Sequence, residues 1–96
     1  MVEVRQTPLF ARWLGDLRDG RARLRIVARI RRMELGNPGD VKSVGEGVSE
    51  MRISYGPGYR IYFIRTADTI TILLCGGDKS SQNRDIALAK QMAKEI

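Results

Sequence analysis

A glycine–proline–glycine turn between two alternating apolar runs constrains this chain more than any other feature. Ser49–Tyr55 and Tyr59–Arg65 are strand-like, and Gly56-Pro57-Gly58 joins them at hairpin length. Pairing Tyr55 with Tyr59 across the turn sets Ser54 opposite Arg60 and Arg52 opposite Tyr62. Side chains alternate across a strand, so Arg52, Ser54, Arg60 and Tyr62 fall on one face. Met51, Ile53, Ile61 and Phe63 fall on the other, which must be the helix-covered core; a slip of one residue would bury an arginine without a partner. A third run, Thr69–Cys75, follows Thr66-Ala67-Asp68 at hairpin length and is apolar on both faces near its end, as a central strand would be. It leads into Gly76-Gly77-Asp78-Lys79, so Arg52, Arg60 and Lys79 come from three neighbouring strand segments and are expected to converge on one open face.

The remaining elements are legible from caps and periodicity. Val2–Gln6 alternates as a short edge strand. Thr7-Pro8 opens a helix, with Thr7 as the cap and Pro8 in the first turn. Phe10, Trp13, Leu14 and Leu17 follow, and Asp19-Gly20 ends or breaks the helix. A second helix spans about Arg21 to Leu35, with Ile26, Ile30 and Met33 inward and Val27 adjacent, and stops at Gly36-Asn37-Pro38-Gly39. Asp40–Gly47 is a polar connection that includes a short strand at Lys42–Val44. Ser80 or Ser81 caps a last helix in which Ile86, Ala89, Ala93 and Ile96 share a face. The order β-α-α-β-β-β-α in one domain, residues 1–96, predicts an α+β fold: a small antiparallel sheet, two N-terminal helices on one face and a short C-terminal helix.

Charge narrows the partners. The 96 residues carry 17 Lys and Arg against 11 Asp and Glu, a net +6, with no His. Residues 1–36 hold nine Arg and four acids, whereas the rest of the chain is nearly balanced. Arginines 18, 21, 23, 25, 29, 31 and 32 are accompanied by one acid, Asp19, too lopsided for salt-bridge lacing along a helix. Such a surface suits nucleic acid, an anionic membrane or an acidic protein. No apolar run is long enough to span a bilayer, and the N-terminus lacks the apolar stretch of a signal peptide, so a membrane role is not expected. One cysteine, Cys75, in an apolar run fits a reducing cytoplasm and a core position. Without His, and with a single Cys, neither a zinc site nor a Cys–His nucleophile is available, and no metal or cofactor is expected.

The chain resembles the RelE/ParE superfamily of bacterial toxins, closest to its HigB-like addiction-module killer branch. The resemblance runs through Phe10-x-x-Trp13-Leu14, Ala22-Arg23 to Arg29-Ile30, Gly36-Asn37-x-Gly39-Asp40, Gly45 to Glu50-Met51-Arg52, Tyr55-Gly56-Pro57-Gly58-Tyr59-Arg60 and Leu73 to Ser80. It implies a type II toxin that acts as an endoribonuclease on mRNA in the ribosomal A site, without metal, the RNA's own 2′-hydroxyl attacking the adjacent phosphate. It also implies a partner antitoxin, often a helix-turn-helix protein that links the toxin to operator DNA. By the same resemblance Arg60 takes the phosphate. Arg52 stabilises charge or tunes a base, Lys79 approaches the leaving oxygen or the phosphate, and Asp78 is a candidate for proton transfer along with Glu50 or a tyrosine. Tyr55 and Tyr59 beside the turn, and Arg21, Arg25, Arg29 and Arg32 on the second helix, are the expected RNA contacts. Many members carry a tyrosine at the start of the last helix; Gln82-Asn83-Arg84-Asp85-Ile86 has none. Two other functions share the fold: a ParE-like poison of DNA gyrase, and a degenerate toxin that only binds its antitoxin.

Overall fold

The computed structural model describes all 96 residues. A strand β1 (Glu3–Gln6) precedes helices α1 (Pro8–Asp16) and α2 (Gly20–Glu34), then strands β2 (Val41–Gly45), β3 (Val48–Ile53), β4 (Tyr59–Ala67) and β5 (Ile70–Gly77). A single 3-10 turn (Lys79–Ser81) leads into α3 (Gln82–Lys94). The α+β class is as the pattern predicts, but the order holds one strand more than β-α-α-β-β-β-α, because the short run at Lys42–Val44 is a full member of the sheet, β2. The strands form one sheet in the order β1-β5-β4-β3-β2, and β5 lies between two neighbours. The sheet is not wholly antiparallel, because β1 runs parallel to β5. The last helix is not short either, at 13 residues. No helix is long and apolar enough to cross a membrane.

The caps explain the helix boundaries. Thr7 Oγ1 accepts from the Phe10 amide at 3.1 Å and donates to the Leu74 carbonyl at 2.7 Å, so the cap of α1 also ties it to β5. Asp19 does not close α1. It caps α2, accepting from the amides of Arg21 and Ala22. Between them Arg23 donates to the carbonyls of Leu14 and Leu17, satisfying the C-terminal end of α1.

The sheet has a core on each side. Phe10, Ala22, Ile26, Ile30 and Met33 of the two N-terminal helices pack on Met51, Ile53, Tyr59, Ile61, Phe63 and Leu73. On the opposite side Ala89, Ile86 and Ala93 of α3 cover Val48, Tyr62, Leu74 and Cys75. Leu74 and Cys75 both face α3 because β5 bulges there, with Tyr62 opposite Cys75 and Phe63 opposite Leu73. Val27 and Ile96 stay largely exposed instead of joining these cores.

Gly76 and Gly77 let both helical layers approach the same stretch of β5. A Cβ at Gly76 would lie 2.5 Å from the Trp13 ring, and one at Gly77 1.9 Å from Asp85 Oδ2. No larger residue fits either place.

Candidate functional site

The site forms where α3 leaves the sheet uncovered. In the hairpin, Ile53 pairs with Tyr59 and Arg52 with Arg60. The expected register of Tyr55 with Tyr59, and of Arg52 with Tyr62, is therefore displaced by two residues, and Tyr62 faces Glu50. Two residues is one full period of a strand, so Arg52 and Arg60 keep the predicted face. The displacement arises because Tyr55 has left the strand. Its hydroxyl donates to Asp19 Oδ2 at 3.0 Å, and the Arg25 guanidinium lies 4.6 Å above its ring.

Arg52, Arg60 and Lys79 line one open cavity of about 440 Å³, together with Asp40, Ser54, Tyr55, Gly56 and Gly58. Lys79 reaches it by laying its side chain over Gly58: a Cβ at Gly58 would lie 3.0 Å from Lys79 Cγ and Cε. Gly58 also has φ +80°, a conformation that favours glycine. Arg60 is 8% exposed. Its Nη1 donates to the Tyr59 carbonyl at 3.3 Å, and its buried Nε has no partner.

Like charges directly opposite on adjacent strands repel. Asp40 offsets this pair. Arg52 Nη2 and Nε donate to Asp40 Oδ1 at 2.9 and 3.3 Å. These bonds hold the Asp40 carboxyl below the usual carboxylate range, with the nearby charges of Arg52, Arg29 and Arg60 acting in the same direction. They also raise the Arg52 guanidinium above its ordinary value. No group of three or more His, Cys, Asp or Glu side chains gathers anywhere in the molecule to hold a metal.

The structure gives several sequence-predicted residues other tasks. Asp78 does not line the cavity. It caps the 3-10 turn, accepting from the Ser80 amide at 2.8 Å and from Ser80 Oγ at 2.5 Å, which lowers its carboxyl pKa. Tyr59 is buried with its ring edge-on to Trp13 at 6.2 Å, so it is core and not a stacking surface. Arg29 is not a free surface cation: Nη1 donates to the Arg52 carbonyl at 2.7 Å and Nη2 to the Pro38 carbonyl at 3.0 Å. It locks the loop that carries Asp40 against β3. Glu50 is fully buried, accepting from the Tyr62 hydroxyl at 3.0 Å and from Gln82 Nε2 at 2.8 Å. Cys75 is core, as expected, and burial pushes its thiol up to about 12. Tyr55 stays on the cavity rim, and Arg21, Arg25 and Arg32 on the exposed side of α2.

Ser54 lines the cavity on the face that alternation assigned to it, whereas Asp40 is a cavity residue to which sequence reasoning gave no role. The signal for Asp40 was the extension of β2: once Val41 pairs with Met51, the preceding residue must lie beside Arg52.

Known proteins match this chain nearly end to end. Residues 12–94 match the family model described as phage derived protein Gp49-like (DUF891). The chain belongs to that family. Gp49-like proteins are a family of RelE-like toxins, in agreement with the broader resemblance of the sequence. An uncharacterized protein of Haemophilus influenzae (strain ATCC 51907 / DSM 11121 / KW20 / Rd) is 46% identical over 95 residues, covering 99% of this chain and 96% of the relative. The Gp49-like match takes in the second half of α1, all of α2, the cavity and all of α3.

Proposed function

We propose that this Gp49-like protein is the toxin of a type II toxin–antitoxin module, and that it arrests translation by cutting mRNA on the ribosome, in the cytoplasm. The observation that carries the reading is the convergence of Arg52, Arg60 and Lys79, from β3, β4 and the segment after β5, on one open cavity. RNA transesterification asks for that arrangement. The phosphorane gains negative charge as the 2′-oxygen attacks, and fixed cations aimed at it stabilise the transition state more than the ground state. Arg60, rigidly seated in β4, holds the phosphate; Lys79 faces the leaving 5′-oxygen; Arg52 stands at the attacking side beside Asp40. Arg21, Arg25 and Arg32 on α2 add a positive surface for ribosomal RNA. The cognate antitoxin, a helix-turn-helix protein in this reading, silences the toxin and carries it to operator DNA.

The test is expression alone, without the neighbouring reading frames, of the wild type and an Arg60→Ala/Lys79→Ala double variant, with primer extension on a reporter transcript in the presence and absence of translation. The wild type should arrest growth and cut the transcript only when it is translated, and the folded double variant should do neither. Arrest by the double variant would reject this site. DNA breaks with intact mRNA would indicate gyrase poisoning, and no arrest by the wild type a degenerate, antitoxin-binding protein.

A further inference from the structure

We infer that Asp40 is the general base that takes the proton from the attacking 2′-hydroxyl; this rests on the ribonuclease reading above. Asp40 is the one carboxylate among the residues lining the cavity. The other acids near it are engaged. Glu50 lies beneath α3, bonded to Tyr62 and Gln82, and Asp78 is turned toward Ser80. The Tyr55 hydroxyl already donates to Asp19, and that bond holds the phenol in its protonated form.

The geometry of Asp40 suits the task. Both bonds from Arg52 end on Oδ1. Oδ2 takes no hydrogen bond from the protein, and the side chain is 56% exposed, so one oxygen is anchored while the other is open to a substrate. Behind it, Arg29 fixes the Pro38 carbonyl, and the Arg52 amide donates to the Asp40 carbonyl at 2.9 Å, so the backbone that carries the carboxylate is tied at both ends.

Without substrate, Arg52 makes Asp40 a weak base. A bound phosphodiester changes that in two ways: it competes for the Arg52 N–H groups, and it brings a negative charge beside the carboxylate. Both raise the proton affinity of Asp40, and only when RNA is in place. The step then balances. Asp40 Oδ2 accepts the 2′-hydroxyl proton as the O2′–P bond forms, the P–O5′ bond breaks, and the Lys79 ammonium gives a proton to the departing 5′-oxygen. The products are a 2′,3′-cyclic phosphate and a 5′-hydroxyl, and exchange with water restores both side chains.

The experiment uses ribosomes programmed with one mRNA in two forms, all-ribose for single-turnover cleavage and 2′-deoxy at the scissile nucleotide for binding. Asp40→Asn should cut on the order of 10²- to 10⁴-fold more slowly, the range of general-base contributions. Its binding to the deoxy form should be unchanged or tighter, since an anion has been removed from a cationic cavity. Asp40→Glu should recover part of the rate, and the rise of wild-type rate with pH should be lost in Asp40→Asn. If Asp40→Asn cuts within about threefold of wild type, below one tenth of the smallest general-base effect, the base lies elsewhere and the inference falls while the nuclease reading stands. A loss of binding in proportion to cutting would mean that Asp40 only positions Arg52, which also overturns it. If the wild type leaves the all-ribose mRNA intact, the reading and the inference fall together.

Discussion

Two ends of one sheet face behave in opposite ways. On β3 and β4 the side chains directed away from α1 and α2 run Val48, Glu50, Arg52 and Arg60, Tyr62, Ile64. The end with Val48, Glu50, Tyr62 and Ile64 lies under α3, where even a carboxylate is wholly buried. The end with Arg52 and Arg60 projects past α3 into the cavity. The alternation of the strands is the same throughout; the reach of a single helix decides which polar groups become structure and which stay available to a ligand. A fold this small has little stability in reserve, and its open end is where charge repulsion is retained.

The largest expected effect tests the covered end. Gly77→Ala puts a methyl group against Asp85 and Ser81, and should cost about 3 kcal/mol in urea unfolding, at the top of the usual range for overpacking. A midpoint equal to wild type would mean that α3 can ride away from β5 freely, and the contrast between the two ends would lose its basis. Next comes a paired measurement. Glu50→Ala strands the Tyr62 hydroxyl in the interior, leaves the half-buried Gln82 amide without its partner, and should cost about 2 kcal/mol. Arg52→Ala should leave the unfolding midpoint where it was, because its partner Asp40 is solvated, yet on the proposed ribonuclease function slow RNA cleavage on the order of 10²-fold. Equal destabilisation by the two substitutions would contradict the division drawn here.

How much of this was legible in the sequence follows from the same contrast. Parity was legible: Met51, Ile53, Ile61 and Phe63 face the N-terminal helices as their alternation requires, and the three cations meet as expected. Register was not, because it depends on Tyr55 leaving the strand for Asp19 and Arg25, residues more than 25 positions away. The burial of Glu50 was hidden for a related reason. Alternation assigns a side chain to a face but does not tell how far a later helix extends over that face. The arginine run misled in a specific way, since Arg23 and Arg29 spend their donors on backbone carbonyls, which carry no signature in side-chain pattern. The expected role of Asp78 gave way to capping, the commonest use of an aspartate just before a helical turn.

The smallest effect sharpens the comparison through pH. At the covered end burial raises Cys75 from 9.0 to about 12 and raises Tyr62 above its usual 10.0. Both contributions are whole below those ordinary values and fall away as pH rises toward the folded-state ones, because the unfolded chain ionises first. Urea midpoints should therefore drop between pH 9 and pH 12, and Cys75→Ala should flatten part of the drop. The open end has the opposite sign. Asp40 is held below its usual 3.8, so its contribution is present at neutral pH and lost only as acid takes the pH below that value. An alkaline drop unaltered in Cys75→Ala would remove the thiol from this account.

Trp13 and Asp85 press on adjacent glycines of β5 from opposite sides. Nothing thicker than the main chain separates an indole from a carboxylate there, and the lysine of the cavity is only two residues further on. A partner that grips α1 from outside would thus be pushing on a wall one peptide deep, two residues from the Lys79 that lines the cavity.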